Sequence, residues 1–342
     1  MTYALPLTTS PMEARLVDDL PTENGWQFEP KWDGFRCLVF KSGPNVDLRA
    51  KSGKPLARYF PDVVERVRAH ATKSFVLDGE LIIVHDQALS FEALQLRLHP
   101  AASRVAKLAD AQPAQLLLFD CLAAGAKSLL RAPLVERRAA LETLLAKDTP
   151  YMGLSPYTRD PRAARAWLKS SGRALDGVIA KRLDGSYESG ERGMFKVKRL
   201  RSADCVVGGF RYETSSKLVG SLLLGLYDDE GLLHHVGFTS AFANEDRKAL
   251  TKRLKRLEGG QSFTGRAPGG PSRWSTERTG EWTPVKPRLV VEVRYDHVSD
   301  ERFRHGTKLL RWRPDKAASQ CTFEQLKPAQ PPAEISALLR GT

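Results

Sequence analysis

The apolar run Phe75–Val84 limits how this chain can fold, because it carries Asp78 and Glu80 at its centre. A continuous apolar run of this length is typical of a buried strand. Burying carboxylates in such a strand is costly unless they bind a partner. A tight turn at Asp78 and Gly79 is the alternative interpretation, but it leaves Glu80 unexplained. The run therefore predicts a strand that carries at least one acid into a binding site.

A second polar stretch, residues 29–36, places Lys31 between Glu29 and Asp33, with Gly34 and Arg36 just beyond it. We interpret Lys31 as a nucleophile at the end of a strand that begins at Trp26. A lysine amine is protonated near neutral pH, so covalent catalysis requires neighbouring cations or a desolvated pocket to lower its pKa. A solvated charged turn between strands is the alternative interpretation.

The segment Gly193–Lys198 offers such cations. Strand alternation puts Phe195 and Val197 on one face and Lys196 and Lys198 on the other, which holds two like charges side by side. A solvated edge strand would also carry lysines. Facing a pocket instead, the pair would bind phosphate and help to keep Lys31 deprotonated.

The second part of the chain differs in character. Beyond residue 200, short apolar segments with glycine breaks, such as Cys205–Phe210 and Leu289–Tyr295, surround a single segment with helical spacing. This pattern suits a small closed barrel. We therefore predict one domain over 1–200, a barrel domain over 201–326 and a tail over 327–342.

The net charge of the chain is +13, and both parts contribute to it. A partner with phosphates along its length, such as a nucleic acid, is favoured. The four cysteines are widely spaced, which predicts core thiols of a reducing compartment instead of a zinc site. With neither a membrane-spanning run nor a signal peptide, we expect a protein of the bacterial cytosol that is associated with the nucleoid.

Six stretches in a fixed order together resemble the covalent nucleotidyltransferase superfamily, and within it the ATP-dependent DNA ligases. The chain is most similar to the bacterial ligase C type and to the ligase module of bacterial ligase D. The resemblance implies an α+β adenylation domain of antiparallel sheets with flanking helices, followed by a β-barrel OB-fold domain. The stretches begin near residues 29, 49, 78, 119, 176 and 194, and a last motif spans 311–316.

The resemblance also implies roles for individual residues. Glu29 would bind the adenine amino group and Phe119 would stack on the ring, while Arg36, Arg49 and Glu80 would hold the sugar and nearby phosphate. Asp33 would orient Lys31. Lys181, Lys196 and Lys198 would neutralise the α-phosphate, and Arg311, Arg313 and Lys316 would reach the β- and γ-phosphates. Glu80 and Asp176 would bind the metal, although the aspartate stands where most ligases have glutamate.

The implied reaction uses ATP and Mg²⁺, for which Mn²⁺ can substitute. Lys31 attacks the α-phosphate and forms a lysine-AMP intermediate, the AMP passes to a 5′-phosphate, and a 3′-hydroxyl displaces it. We expect nicked or broken duplex DNA as the partner, other repair proteins as further partners, and a monomer that does not bind membranes.

Three other functions remain open from the sequence. A capping guanylyltransferase would use GTP, and an RNA ligase would act on nicked RNA. A barrel protein that binds nucleic acid without catalysis would explain the charge but not the buried acids. A P-loop enzyme is disfavoured because no Gly-x-x-x-x-Gly-Lys-Ser/Thr segment exists.

Overall fold

A computed structural model describes residues 3–85, 88–146, 151–169, 175–198, 201–214, 216–241, 246–269, 281–296, 298–299, 301–304, 306–327 and 335. The chain divides into two compact units. Met1–Arg199 and Pro328–Thr342 form the first unit, and Leu200–Lys327 forms the second. The division lies one residue before the predicted boundary. The predicted tail, 327–342, lies outside the described residues except for Lys327 and Ile335.

The first unit begins with four strands, after which helices and strands are mixed along the chain. The strands are β1 (Ala14–Leu16), β2 (Trp26–Trp32), β3 (Phe35–Ser42), β4 (Asn45–Ala50), β5 (Ser74–Ile82), β6 (Val84–His85), β7 (Ala88–Leu89), β8 (Gln115–Ala124), β9 (Lys127–Ser128), β10 (Met152–Leu154), β11 (Leu175–Arg182) and β12 (Met194–Val197). The helices are α1 (Pro61–Ala69), α2 (Phe91–Arg97), α3 (Ala102–Ala111), α4 (Leu134–Leu144) and α5 (Pro161–Lys169).

Two sheets organise this unit. One has the strand order β1–β12–β11–β2, and the other has the order β10–β8–β5–β3–β4, with β9 added beside β8. The pairings are antiparallel except for β1 with β12 and β10 with β8. The α+β class predicted from the sequence is confirmed.

Strand β5 runs without interruption through Asp78 and Gly79, so the tight-turn interpretation of that dipeptide is wrong. A Cβ on Gly79 would lie 2.6 Å from the carbonyl oxygen of Leu117 in β8. Glycine is present because a neighbouring backbone approaches closely, which is a recurrent use of glycine inside strands. Helix α1 then covers the outer face of this sheet with its buried Val63 and Val67.

The second unit is a closed barrel in the order β13–β14–β15–β19–β16, as predicted. Its elements are β13 (Arg201–Tyr212), β14 (Val219–Tyr227), β15 (Leu233–Ala241), α6 (Arg247–Lys255), β16 (Thr283–Tyr295), β17 (Val298–Ser299), β18 (Arg302–Phe303) and β19 (Thr307–Trp312). Apolar residues from all five barrel strands and from α6 fill its interior.

The four cysteines are buried and free, which confirms their prediction as core thiols. No helix in the described part of the chain is long and apolar enough to cross a membrane.

Candidate active site

A cavity of about 1120 Å³ opens in the first unit, and it collects most of the predicted site residues of that unit. Those that line it are Glu29, Lys31, Arg36, Glu80, Phe119, Lys181 and Lys196. Asp176 and Lys198 lie next to it, and Asp176 contacts both Lys31 and Lys198. Within the described residues, Asp33 and Arg49 do not contribute to the lining.

Two glycines allow the strands around the cavity to come together. A Cβ on Gly34 would lie 2.2 Å from the carbonyl oxygen of Leu81, and one on Gly177 would lie 2.2 Å from that of Val197. Gly177 also has a φ of +141°, which residues with a side chain rarely adopt. The first contact joins the turn after β2 to β5, and the second joins the start of β11 to the end of β12, at the point where β11 also pairs with the end of β2.

Lys31 lies at that point, near the end of β2 and opposite Gly177 of β11. Its amine is 2.6 Å from a carboxylate oxygen of Asp176, and the amine of Lys198 is 2.9 Å from the same oxygen. Burial opposes ionisation of Asp176, but the two lysines outweigh burial and hold its pKa below the ordinary value. The contact between Lys31 and Asp176 was not predicted from the sequence, from which we expected Asp33 to orient Lys31.

Lys196 completes a cluster of three lysine side chains. Burial lowers its pKa, and the nearby charges of Lys31 and Lys198 lower it further. Phe195 and Val197 pack into a separate apolar cluster, so the predicted alternation along β12 is confirmed. The cluster of Lys31, Lys196 and Lys198 supplies concentrated positive charge at one end of the cavity.

Glu80 is the acid that the apolar run brings into the cavity. Burial raises its pKa to about 7, although Arg36 and Lys31 act in the opposite direction. Near neutral pH its carboxyl group therefore exists partly as the neutral acid. A bound cation would favour its ionised form.

The other end of the cavity holds a pair of buried opposite charges. The Lys181 amine is 2.8 Å from a carboxylate oxygen of Glu29, and Gln27 donates a hydrogen bond to the other oxygen at 2.9 Å. Lys181 also lies 4.7 Å from the centre of the Phe119 ring. A carboxylate and an aromatic ring at this end could bind a flat base with an exocyclic amino group.

The strand register shows how far Lys181 lies from the lysine cluster. In the register of β11 against β2, Lys181 is opposite Gln27 and Gly177 is opposite Lys31. Four residues of strand separate the two points, which is about 13 Å. Lys181 therefore lies with Glu29 and not with the lysine cluster that would meet the α-phosphate.

Behind Lys181 the charges continue into the core. Asp120 is 4.0 Å from the Lys181 amine, and Arg137 contacts both carboxylate oxygens of Asp120 at 2.7 and 3.1 Å. Asp120 and Arg137 are each 1% exposed. Glu29, Lys181, Asp120 and Arg137 thus form a chain of alternating charges, here called the buried charge chain. Asp120 and Arg137, the inner half of the buried charge chain, were not predicted from the sequence.

Arg36 is held in the cavity wall by the buried Asp78. Its guanidinium contacts both carboxylate oxygens of Asp78, and its central carbon lies 4.6 Å from the centre of the Phe119 ring. Burial alone would lower the pKa of Arg36, but Asp78 raises it above the ordinary value. Arg49, in contrast, pairs with Asp47 at 2.7 Å, outside the cavity lining.

Comparison with known proteins agrees with this arrangement. Residues 11–198 match the sequence model of the ATP dependent DNA ligase domain, and residues 215–316 match that of the ATP dependent DNA ligase C terminal region. DNA ligase C2 of Mycolicibacterium smegmatis is 45% identical over 333 residues, which cover 93% of this chain and 94% of that protein. The chain belongs to the ATP-dependent DNA ligase family.

A second relative agrees with the expected resemblance to ligase C, which is confirmed. DNA ligase C of Mycobacterium tuberculosis is 41% identical over 336 residues, which cover 93% of this chain and of that protein. The crystal structure of the ligase domain of M. tuberculosis LigD is 28% identical, covers 92% of this chain and 98% of that chain, and has a TM-score of 0.49.

The last motif of this ligase lies in the second unit, where its cations have acidic partners. Arg313 contacts both oxygens of Asp204 at 3.0 and 3.1 Å, and the Lys316 amine lies 2.7 Å from the same carboxylate. Arg311 pairs with Glu292 at 2.7 Å. Their predicted contact with ATP phosphates would require these pairs to separate.

The acids available at the ligase cavity suit Mg²⁺ that is bound partly by substrate phosphates. They do not suit a metal ion that is bound by protein side chains alone. Among the described residues, no group of three or more His, Cys, Asp or Glu side chains could hold a metal ion. Mg²⁺ is commonly bound by one or two carboxylates together with substrate phosphates. Glu80 in the cavity lining and Asp176 beside it could supply those carboxylates.

Proposed function

We propose that this ligase seals nicks between a 5′-phosphate and a 3′-hydroxyl in duplex DNA through a covalent Lys31-AMP intermediate. The observation that carries the proposal is the position of the Lys31 amine in the cavity wall, beside Lys196 and Lys198 and in contact with Asp176. Covalent phosphoryl chemistry needs a positioned nucleophile and positive charge around the phosphate.

In the first step the Lys31 nitrogen attacks the α-phosphate of ATP, pyrophosphate leaves, and a phosphoramidate forms. Lys196 and Lys198 stabilise the charge that develops on the phosphate. Asp176 holds the Lys31 amine in position before the reaction. Glu80 and Asp176 would bind Mg²⁺, which supplies further charge stabilisation, and Mn²⁺ would substitute because it prefers the same oxygen ligands.

The opposite end of the cavity would select adenine. The Glu29 carboxylate accepts a hydrogen bond from the 6-amino group, and Phe119 offers its ring for stacking. Arg36 and Glu80 lie between the two ends, where the sugar and the α-phosphate would pass. Arg49 is not part of this assignment, because it lies outside the cavity lining.

The remaining steps require DNA. The AMP moves from Lys31 to the 5′-phosphate of a nick, and the adjacent 3′-hydroxyl displaces it. We propose that Arg311, Arg313 and Lys316 contact the β- and γ-phosphates during the first step only. Replacing these three by alanine should then block self-adenylation but leave the sealing of pre-adenylated nicks.

The test of the first step is a labelling experiment. The protein is incubated with ATP and Mg²⁺, and the adduct is located by peptide mass spectrometry. AMP should appear on Lys31, be absent in Lys31→Ala, and persist in a control variant of an exposed lysine, Lys127→Ala. An undiminished adduct in Lys31→Ala would contradict the proposal.

Two comparisons separate the remaining alternatives. ATP and GTP are offered in parallel, since a guanylyltransferase would be labelled by GTP. Nicked DNA and nicked RNA are then offered to the adenylated protein, since an RNA ligase would prefer the second. We further propose that the protein acts in DNA repair. We also propose that it is a monomer, and light scattering after gel filtration would measure its mass.

A further inference from the structure

Arg36 and Asp78 belong to a closed ring of hydrogen bonds that includes a residue outside all the motifs. The Tyr187 hydroxyl donates a hydrogen bond to Asp78 at 2.6 Å and accepts one from the backbone N–H of Met12 at 2.8 Å. Arg36 closes the ring, because it contacts both oxygens of Asp78 and donates to the carbonyl oxygen of Met12 at 3.3 Å.

The ring has an inner and an outer half. Met12 and Arg36 line the cavity, whereas Asp78 and Tyr187 are 0% and 4% exposed and lie behind the lining. The Asp78 carboxylate can fix the Arg36 guanidinium only if its own orientation is fixed. Its two contacts with Arg36 still allow the carboxylate to rotate about the axis that joins those contacts. The tyrosine hydroxyl supplies a third contact from another direction.

The hydroxyl also keeps its proton. Burial raises the pKa of Tyr187, and the nearby Asp78 carboxylate raises it further, so Tyr187 is a donor throughout the neutral pH range. Hydrogen bonds to a charged acceptor are among the stronger ones in proteins.

Tyr187 is not needed to attach the segment that contains Met12. Glu13 donates from its backbone to Glu191 and accepts from the backbone of Met194, and Ser10 exchanges hydrogen bonds with the side chain of Ser189. The segment is therefore attached on both sides of Met12 without the tyrosine.

We propose that Tyr187 is a positioning residue for nucleotide binding, which acts through Asp78 to fix the Arg36 guanidinium in the cavity wall. This inference rests on the proposed function, in which Arg36 contacts the nucleotide between the base and the α-phosphate. Fixing Arg36 before ATP arrives lowers the cost of ordering its side chain on binding.

The test is the ATP dependence of self-adenylation in Tyr187→Phe, which removes only the hydroxyl. The ATP concentration at half-maximal rate should rise roughly 3- to 10-fold, while the maximal rate changes less than 2-fold. Tyr157→Phe is the matched control, because Tyr157 belongs to the same unit and its ring packs against Arg138, away from the cavity.

A double-mutant cycle separates positioning from a general loss of stability. If Tyr187 acts through Arg36, Tyr187→Phe should have no further effect on the ATP dependence in an Arg36→Ala background. An equal effect in both backgrounds, or an unchanged ATP dependence in Tyr187→Phe alone, overturns the inference. Absence of a Lys31-AMP adduct in the wild type would instead overturn the proposed function, so the two failures are distinguishable.

Discussion

Glu80→Gln should make the folded protein more stable, and increasingly so as the pH rises. The pKa of Glu80 is raised from 4.5 to about 7 by burial, so the folded state holds a proton that the unfolded state releases. The resulting cost is absent below pH 4.5, grows as the pH rises towards 7, and is constant above it. Glutamine carries no charge and avoids this cost at every pH.

The two pKa values set the size of the effect. Linkage gives an upper limit of about 1 kcal/mol at pH 5 and about 3 kcal/mol at pH 8 for the gain in unfolding free energy. Water around the half-buried side chain reduces both values. The same substitution should abolish self-adenylation, because it removes a proposed metal ligand.

Urea unfolding of both proteins at pH 5 and pH 8 measures the difference, and hydrogen exchange of first-unit peptides assigns the transition. Glu136→Gln is the control, since Glu136 is exposed on α4. A stability gain of the same size at both pH values would refute the reasoning, because a pH-independent gain cannot come from the charge of Glu80.

Substitutions at three further sites test how each unit is stabilised internally. Gly177→Ala should destabilise the protein by about 3 kcal/mol or more in thermal unfolding. Gly125→Ala is the control, because Gly125 also has a positive φ but has open space around it, and it should cost about 1 kcal/mol. Arg137→Met should lower the free energy of unfolding in urea by about 3–5 kcal/mol, because it leaves the buried Asp120 carboxylate without its partner. Adding Asp120→Asn should recover part of this loss. Asp204→Asn should lower the unfolding free energy of the second unit by about 2 kcal/mol. Hydrogen exchange of peptides from the second unit would measure this change.

The sequence was sufficient where a pattern is local. Alternation along Gly193–Lys198 predicted the two faces of β12 correctly, because side chains of a strand alternate whatever it pairs with. The burial cost of the acids in Phe75–Val84 correctly indicated that at least one of them enters a cavity, and Glu80 does so. The barrel followed from short segments with glycine breaks, since each strand there is stabilised by the next.

The sequence was insufficient where strand register decides the position. The resemblance implied a phosphate contact for Lys181, whereas the pairing of β11 with β2 places its amine beside Glu29. The contact of Lys31 with Asp176 joins residues 145 positions apart. Tyr187 lies in the irregular segment between β11 and β12 and has no pattern of its own, so its contact with Asp78 depends entirely on the fold.

The buried charge chain determines how the base preference of this enzyme could be redesigned. Exchanging Glu29 alone would strand the Lys181 ammonium in a site that excludes water, and exchanging both would leave the Asp120–Arg137 pair without the cation that faces it. Neutralising Glu29 and Lys181 together would keep the charges balanced, because Asp120 and Arg137 remain paired through two contacts. A variant that accepts a different base would therefore need a compensating change at Lys181, a residue behind the surface that would meet the nucleotide.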